Sequence, residues 1–265
     1  MNPAIALRMA GADFLKLRKK RSTVIWALVL AVAPVALYFI FKGVQHSSNP
    51  GENSPAGGIR GYEDAMPVLA LFFGPLAAIM IGTDAGAGDL AAGVFRDLVV
   101  TGRSRVALFA ARVPAALGLC WLVMTAAYAV LTIGIYALAS GTPTPGGALL
   151  INGLLFTLFA TGIVCVVAVG FSSLVGSRPA ALTALIGWQL IASRILENIE
   201  SLGSSRRLIL SQAVTHFSPI FVGDHHGPRG GATVTMSTAT AVIVSLGWIV
   251  VFLALGAWRT RTMDA

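Results

Sequence analysis

Six long apolar stretches alternate with shorter polar segments along this chain of 265 residues. Each stretch is close to the roughly 20 residues that an α-helix needs to cross the hydrocarbon core of a bilayer. The pattern therefore predicts six membrane spans, at residues 23–41, 65–83, 113–139, 149–175, 180–197 and 238–257. The predicted fold class is an all-α integral membrane protein, with six transmembrane helices in a single domain over residues 1–265.

The third apolar run is longer than one span requires. It is continuous from Val106 to Ala139, with Arg112 as its one charged residue. At about 1.5 Å per residue it would measure about 50 Å, against a hydrocarbon core of about 30 Å. We therefore expect one continuous helix whose first turns project beyond the membrane.

Composition supports a membrane protein and changes how the positive charge is interpreted. Hydrophobic residues make up 56% of the chain, charged residues make up 11%, and the mean hydropathy is +0.80. These values exclude folding around one water-soluble core. A net charge of +8 would suggest nucleic acid in a soluble domain, but here the basic residues flank apolar spans. We therefore predict a lipid bilayer as partner and no nucleic acid. Both cysteines lie within apolar runs, so no disulfide is predicted.

The distribution of the 19 Lys and Arg residues predicts the orientation. One side receives 13 of them, from residues 1–22, 84–112 and 259–261 and from Arg178. The other side receives the remaining six: Lys42, Arg60, Arg194, Arg206, Arg207 and Arg229. The positive-inside rule then places both termini and the 84–105 segment in the cytoplasm, in a plasma (inner) membrane of bacterial type. Residues 42–64 and 198–237 face outward, and the turn-rich 42–64 segment is expected to be a flexible connection.

Residues 1–22 carry an amphipathic pattern ahead of the first span. Apolar residues recur there at helical spacing, while the charged residues occupy the rest of the helical wheel. The apolar positions are Leu7, Ala10, Phe14 and Leu17. This pattern predicts a helix lying along the cytoplasmic face of the membrane. The alternative is a basic tail that only enforces topology.

The 84–105 segment is predicted to be a cytoplasmic docking element. Asp89 is placed to cap a short helix, because aspartate accepts hydrogen bonds from free backbone N–H groups. That helix would end at Gly102 and expose an apolar strip that invites burial by a partner protein. Leu90, Val94, Phe95 and Leu98 form the strip, and Arg103 and Arg105 follow it. The alternative is a solvated loop whose arginines only set the orientation.

A polar stripe marks the outer half of the fifth span. Gln189, Ser193 and Glu197 follow one another at four-residue intervals, with Glu200 three residues further on. Arg194 lies between them, within reach of Glu197 or Asn198. A polar stripe on a membrane helix must face protein or water. It is therefore a candidate wall of a substrate path, or else a structural contact between helices or a polar belt at the end of the span.

The outer segment 198–237 contains two semi-apolar pieces, at 204–214 and 216–221, that are too short to cross a membrane. Such pieces are re-entrant or interfacial where protein covers their backbone. The segment is therefore expected to form either a cap over an outward exit or a simple interfacial turn.

Motifs for intrinsic chemistry are incomplete. The glycines at 88 and 93 have the spacing of a phosphate-binding loop, but Val94 and Phe95 stand where that loop needs Lys and Ser or Thr. Asp224, His225 and His226 are a weak candidate zinc site with poor ligand spacing. No serine lies in a nucleophile elbow. The chain is therefore predicted to be no enzyme, with no cofactor of its own.

Several features together resemble the ABC type-2 permease family. They are the basic amino-terminal elbow, the six spans, the run from Gly82 to Arg105 that contains Gly88-Asp89-Leu90 and Asp97-Leu98, and the final span ending in arginines. The resemblance covers nearly the whole chain. It implies a permease that pairs with a second copy or a sibling and binds two cytosolic ATPase subunits, which carry ATP and Mg²⁺.

The resemblance also implies roles for particular segments. Residues 3–21 would be the elbow helix. Asp89–Leu98 would be the coupling helix, with Arg96 and Asp97 as polar contacts. Residues 198–237 would be an outer segment folded into short helices. The glycine- and alanine-rich stretch from Ala85 to Gly93 departs from the family, whose members carry more charge there.

The resulting hypothesis is ATP-driven export by alternating access of a hydrophobic or amphipathic substrate, such as a drug, antibiotic peptide or lipid. A partner-free secondary transporter or channel is one alternative, which would need ionisable residues at mid-membrane depth. A membrane-embedded lipid-modifying enzyme is another, for which the chain offers only the Asp224-His225-His226 group.

Overall fold

The computed structural model describes residues 3–91, 93, 104–220 and 234–262. Within these ranges the chain is helical with short connections and contains no strand. Six of the helices are long and apolar enough to cross a membrane. The all-α fold class and the number of spans predicted from the apolar pattern are therefore confirmed.

The helices follow the order of the six apolar runs. We number them α1 (Pro3–Lys19), α2 (Arg21–Ser48), α3 (Gly58–Pro67, a π-helical segment Val68–Phe73 and Gly74–Ala91), α4 (Arg105–Ala137), α5 (Gly147–Val175), α6 (Arg178–Gly187, a π-helical segment Trp188–Ala192 and Ser193–Asn198), a 3₁₀ helix (Glu200–Leu208), α7 (Leu210–Thr215) and α8 (Thr238–Thr262).

Helix α3 is longer than the apolar window that predicted it. The span was predicted at 65–83, with a loop from residue 84, whereas the candidate span extends over 32 residues, Gly58–Asp89. Residues 84–91 are its last turns, not the start of a separate segment. The prediction was wrong because glycines and aspartates favour loops locally, whereas here packing against α5 and ion pairs keep them helical.

Helix α4 is a single helix of 33 residues, as its uninterrupted apolar run predicts. Ser104 caps its first turn, accepting a hydrogen bond from the Ala107 N–H at 3.2 Å. It ends two residues before the predicted limit, where Ser140 and Gly141 adopt positive φ angles of 45° and 80°. A left-handed turn there reverses the chain toward α5.

Helices α3 and α5 form the buried centre of the bundle. They approach closely because Gly82 of α3 faces α5: a Cβ there would lie 2.6 Å from the Cys165 carbonyl oxygen. One turn later, a Cβ at Gly86 would overlap Ser172 and the Val169 carbonyl. Small residues allow helix backbones to approach and pack in a membrane. The glycine-rich stretch of α3 therefore serves internal packing.

Helix α1 lies against α4, and its Lys16 reaches Asp89 near the end of α3. Leu17 is buried and Phe14 packs on the core, whereas Leu7 exposes 77% of its surface. The apolar stripe predicted for residues 1–22 is thus a helix whose second half joins the core. Its position on a membrane face stays a prediction.

The opposite end of the bundle is more helical than predicted. Helix α2 continues to Ser48 and α3 begins at Gly58, so most of the expected flexible connection 42–64 is helical. The turn between them is held by the Asn53 amide, which donates to the Gln45 carbonyl at 3.2 Å. Along residues 198–220 the chain forms the 3₁₀ helix and α7, in line with the short helices expected in the outer segment.

Candidate functional site

Two buried carboxylates lie near the end of α3. Asp89 pairs with Arg112 of α4, whose Nη2 is 3.1 Å from Oδ2, and with Lys16 of α1. The same guanidinium donates to the Gly86 carbonyl at 3.1 Å. Asp89 and Arg112 are both buried, so this pair is shielded from water. It ties the end of α3 to the first turns of α4.

Asp84 lies just over one turn earlier in α3 and has no exposed side-chain surface. Lys20, between α1 and α2, donates to its Oδ1 at 2.7 Å. Arg178 at the start of α6 pairs with the same carboxylate, and the Thr23 hydroxyl donates to it. These donors supply the hydrogen bonds that a buried carboxylate requires.

These side chains form one structure, which we call the charged cluster: Lys16, Lys20, Thr23, Asp84, Asp89, Arg112 and Arg178. Asp13 of α1 borders it. Burial raises the pKa of Asp13, and the positive charges of Arg112 and Lys16 oppose that shift. Burial lowers the pKa of Lys16, opposed chiefly by Asp13. The cluster joins α1, α2, α3, α4 and α6, so a displacement of any one of these helices strains an ion pair of another.

A second feature is an apolar cavity of about 310 Å³ within the bundle. It lies between α3, α5, α6, α7 and α8, and Trp188 of α6 and Trp248 of α8 stand together at its wall with ring centroids 5.6 Å apart. Its polar lining comes from Gln189, Ser193 and Ser211. A mostly apolar cavity with a few polar groups is typical of a small-molecule site.

The predicted polar stripe of the fifth span divides between this cavity and a contact beside it. Gln189 and Ser193 line the cavity. Glu197 is buried and accepts a hydrogen bond from Ser211 of α7. Arg194 lies over the Phe72 ring of α3, 5.2 Å from its centroid. Glu200 begins the 3₁₀ helix. The stripe therefore divides between a cavity wall and a structural contact between helices, and its role in a substrate path stays a prediction.

The family model for ABC-2 family transporter proteins matches residues 7–265, almost the entire chain. The chain belongs to the ABC-2 transporter family. No curated protein matches it. With six candidate spans, it is a multi-pass membrane protein and a permease component of a transporter.

The predicted coupling residues of this ABC-2 chain are only partly within the described ranges. Asp89 lies inside α3, not at the start of a short helix, and its carboxylate faces the charged cluster. The capping role predicted for it was therefore wrong, because α3 continues through it. Leu90 is in the last turn of α3 and Arg105 is the first residue of α4. The remaining coupling residues lie outside the described ranges: Val94, Phe95, Arg96, Asp97, Leu98 and Arg103. The candidate zinc ligands also lie outside them: Asp224, His225 and His226.

The cationic side of the charged cluster was not predicted from the sequence. Lys16, Lys20, Arg112 and Arg178 were assigned to topology alone, yet each pairs with a carboxylate of α3. A signal was present, since predicted topology places all four at the same end as Asp84 and Asp89. What the sequence lacked was the helix neighbourhood that decides which charges meet.

Proposed function

We propose that this ABC-2 chain is the transmembrane subunit of an ATP-driven exporter. It moves a hydrophobic or amphipathic substrate outward by alternating access, while a separate cytosolic ATPase hydrolyses ATP. Two permease copies, identical or homologous, and two ATPase subunits form the complex. The end that holds the termini and the charged cluster faces the cytosol, in keeping with its excess of basic residues.

The observation that carries this proposal is the apolar cavity. Its volume of about 310 Å³ is at the lower end of the roughly 300–1,000 Å³ usual for small-molecule sites. Leu71, Trp188 and Phe252 supply apolar surface, which favours a hydrophobic body over a hydrated ion. Five helices contribute to the wall, so a change in their packing would alter access to the cavity.

The charged cluster supports a mechanical connection to the ATPase. The proposed coupling segment follows α3 directly, and Asp89 lies two residues before the end of that helix. Asp89 is paired with α1 and α4, and Asp84 with Lys20 and α6. A force applied to the coupling segment would therefore reach several helices together. In this mechanism ATP-driven closure of the two ATPases tilts the bundles and exposes the cavity alternately to either side.

The first test is purification of the tagged chain from its native membrane in mild detergent. We expect a soluble ATPase to co-purify in stoichiometric amount and to be lost when Phe95 and Leu98 are both changed to Asp. The matched control is Leu7→Asp, because Leu7 is exposed on α1 at the same end of the bundle. Recovery of the chain without any ATPase, together with retained transport, would favour the secondary transporter.

The second test is transport in inside-out membrane vesicles that contain the complex. We expect ATP-dependent uptake of a lipophilic fluorescent dye into the vesicles and no uptake with a non-hydrolysable ATP analogue. The isolated chain should show no ATPase activity. Robust hydrolysis by the chain alone, or uptake driven only by an ion gradient, would contradict the proposal.

A further inference from the structure

The cavity has one polar wall, and Gln189 dominates it. Ser193 and Ser211 also line the cavity, but each hydroxyl already donates a hydrogen bond within the protein. Ser193 donates to the Gln189 carbonyl at 3.2 Å, and Ser211 donates to Glu197. The Trp188 indole N–H is a donor only, so the Gln189 amide is the group on this wall that is able both to donate to a ligand and to accept from it.

The Gln189 amide has unused hydrogen-bonding capacity. Its Nε2 donates to the Leu71 carbonyl of α3 at 3.5 Å, at the long limit of a hydrogen bond. A glutamine amide carries two N–H donors and an oxygen with two acceptor sites. The described residues provide no partner for the second N–H or for Oε1. A ligand in the cavity would find a donor and an acceptor side by side on one planar group.

The two π-helical segments account for this geometry. Leu71 lies in the segment Val68–Phe73 of α3, and Gln189 lies in the segment Trp188–Ala192 of α6. A π turn widens the helix, and such turns occur frequently at functional sites. Both segments contribute to the cavity wall, and the Gln189–Leu71 contact connects them. The backbone is thus irregular on both sides of the same polar group.

The cavity lining offers no charge to a ligand. None of the described residues that line it is Asp, Glu, Lys, Arg or His. An ionised ligand group placed there would lose its hydration without gaining a counter-ion, which is strongly unfavourable. A purely apolar ligand would leave the free N–H and oxygen of Gln189 without partners. Binding of an ionised ligand and binding of a purely apolar ligand are therefore both unfavourable.

We propose that the cavity binds a ligand with an apolar body and one uncharged group that both donates and accepts hydrogen bonds, such as an amide or a hydroxyl. Gln189 is the residue that selects that group. This inference rests on the proposed function, and it narrows the substrate from hydrophobic or amphipathic molecules in general to neutral ones with a paired donor and acceptor.

The test uses the tryptophans of the cavity as reporters in the full-length complex, reconstituted in lipid nanodiscs. Trp26, Trp121 and Trp258 are exposed and are changed to Phe, which leaves Trp188 and Trp248 at the cavity. Three brominated probes of equal chain length are compared at equal mole fraction in the lipid: a primary amide, a carboxylate and an alkane. Bromine quenches tryptophan fluorescence on contact, so quenching measures occupancy.

We expect saturable quenching by the amide, at lower mole fraction than by the alkane or the carboxylate. Changing Gln189 to Leu should weaken amide binding about two- to tenfold, the value of one net hydrogen bond. Alkane binding should become tighter or stay equal, because the unpaired N–H and oxygen are removed. Gln189→Met provides a second apolar variant of different shape, in case one of the two fails to fold. The matched control is Gln212→Leu, since Gln212 is half-buried in α7 and outside the cavity lining.

Three results would overturn the inference: equal binding of the amide and the alkane, tightest binding of the carboxylate, or equal effects of the Gln189 and Gln212 variants. Its failure is distinguishable from failure of the exporter proposal. An amide preference in a complex without ATP-driven transport would refute the exporter and keep the site. ATP-driven transport that is indifferent to Gln189 would refute the site and keep the exporter.

Discussion

Removing Asp89 should destabilise the protein strongly, because it removes the carboxylate that pairs with the buried Arg112 guanidinium. Arg112 exposes only 3% of its side chain, and its Nη2 lies 3.1 Å from Asp89 Oδ2. At that distance and an effective dielectric constant of about 20, the two charges attract by about 5 kcal/mol. Breaking a buried pair by removing one partner costs about 3–5 kcal/mol. We expect Asp89→Ala to lower the free energy of unfolding by that amount.

The same carboxylate provides an internal comparison. Lys16 also pairs with Asp89, but 54% of the Lys16 side chain is exposed. Solvent screens such a charge, and exposed ion pairs contribute about 0.2–1 kcal/mol. Lys16→Ala should therefore cost far less than Asp89→Ala. The double variant Asp89→Leu with Arg112→Leu should recover most of the loss, because replacing a buried ion pair by apolar residues is often nearly neutral.

The assay is unfolding in mixed micelles by titration with sodium dodecyl sulfate, followed by tryptophan fluorescence. Wild type, Asp89→Leu, Arg112→Leu and the double variant form a double-mutant cycle for Asp89 and Arg112, which yields the interaction energy directly. A loss below about 1 kcal/mol for Asp89→Ala, equal to that of Lys16→Ala, would refute the reasoning. It would mean that the pair is hydrated and that the charged cluster does not hold the helices together.

Two further predictions use the same titration. Gly86→Ala should destabilise the bundle, because its Cβ would overlap the α5 backbone. Gly88→Ala should be tolerated, because nothing lies within 4 Å of a Cβ at that position. Equal effects of the two substitutions would contradict the close packing of α3 on α5. Tyr62→Phe should cost about 0.5–1.5 kcal/mol, because it removes a buried hydroxyl bonded to Tyr128 at 2.9 Å. Tyr136→Phe should cost less, since Tyr136 is exposed, and a reversed order would count against this assignment.

The spans could be predicted from the sequence because hydrophobic length is a local property. A run such as Val106–Ala139 must be helical in a bilayer, whatever surrounds it, since only a helix satisfies its backbone there. The same reasoning applies to the stretch that became α5, and both predictions hold within a few residues. The family resemblance likewise followed from layout and from the run Gly82–Arg105, and it is confirmed by the match over residues 7–265.

Span ends were less predictable, because they depend on what lies next to them. Asp84 and Gly86 have poor helix propensity, so a loop from residue 84 was the expected outcome. In the structure the carboxylate of Asp84 meets Arg178, which is 94 residues away in the chain, and Gly86 lies against α5. Contacts of that kind outweigh local propensity, and no pattern along the chain encodes them.

The sequence by itself determined the membrane environment, the number of spans and the polar stripe of α6, all of which depend on spacing along one segment. Only the tertiary structure decided how that stripe is used. Gln189 and Ser193 face a cavity, whereas Glu197 is held by Ser211 of α7. It also decided that Asp84 and Asp89 are buried anchors and not exposed contacts. The physical reason is that hydrophobic length and helical spacing are properties of a single segment of the chain. Burial and charge pairing depend instead on which helices become neighbours.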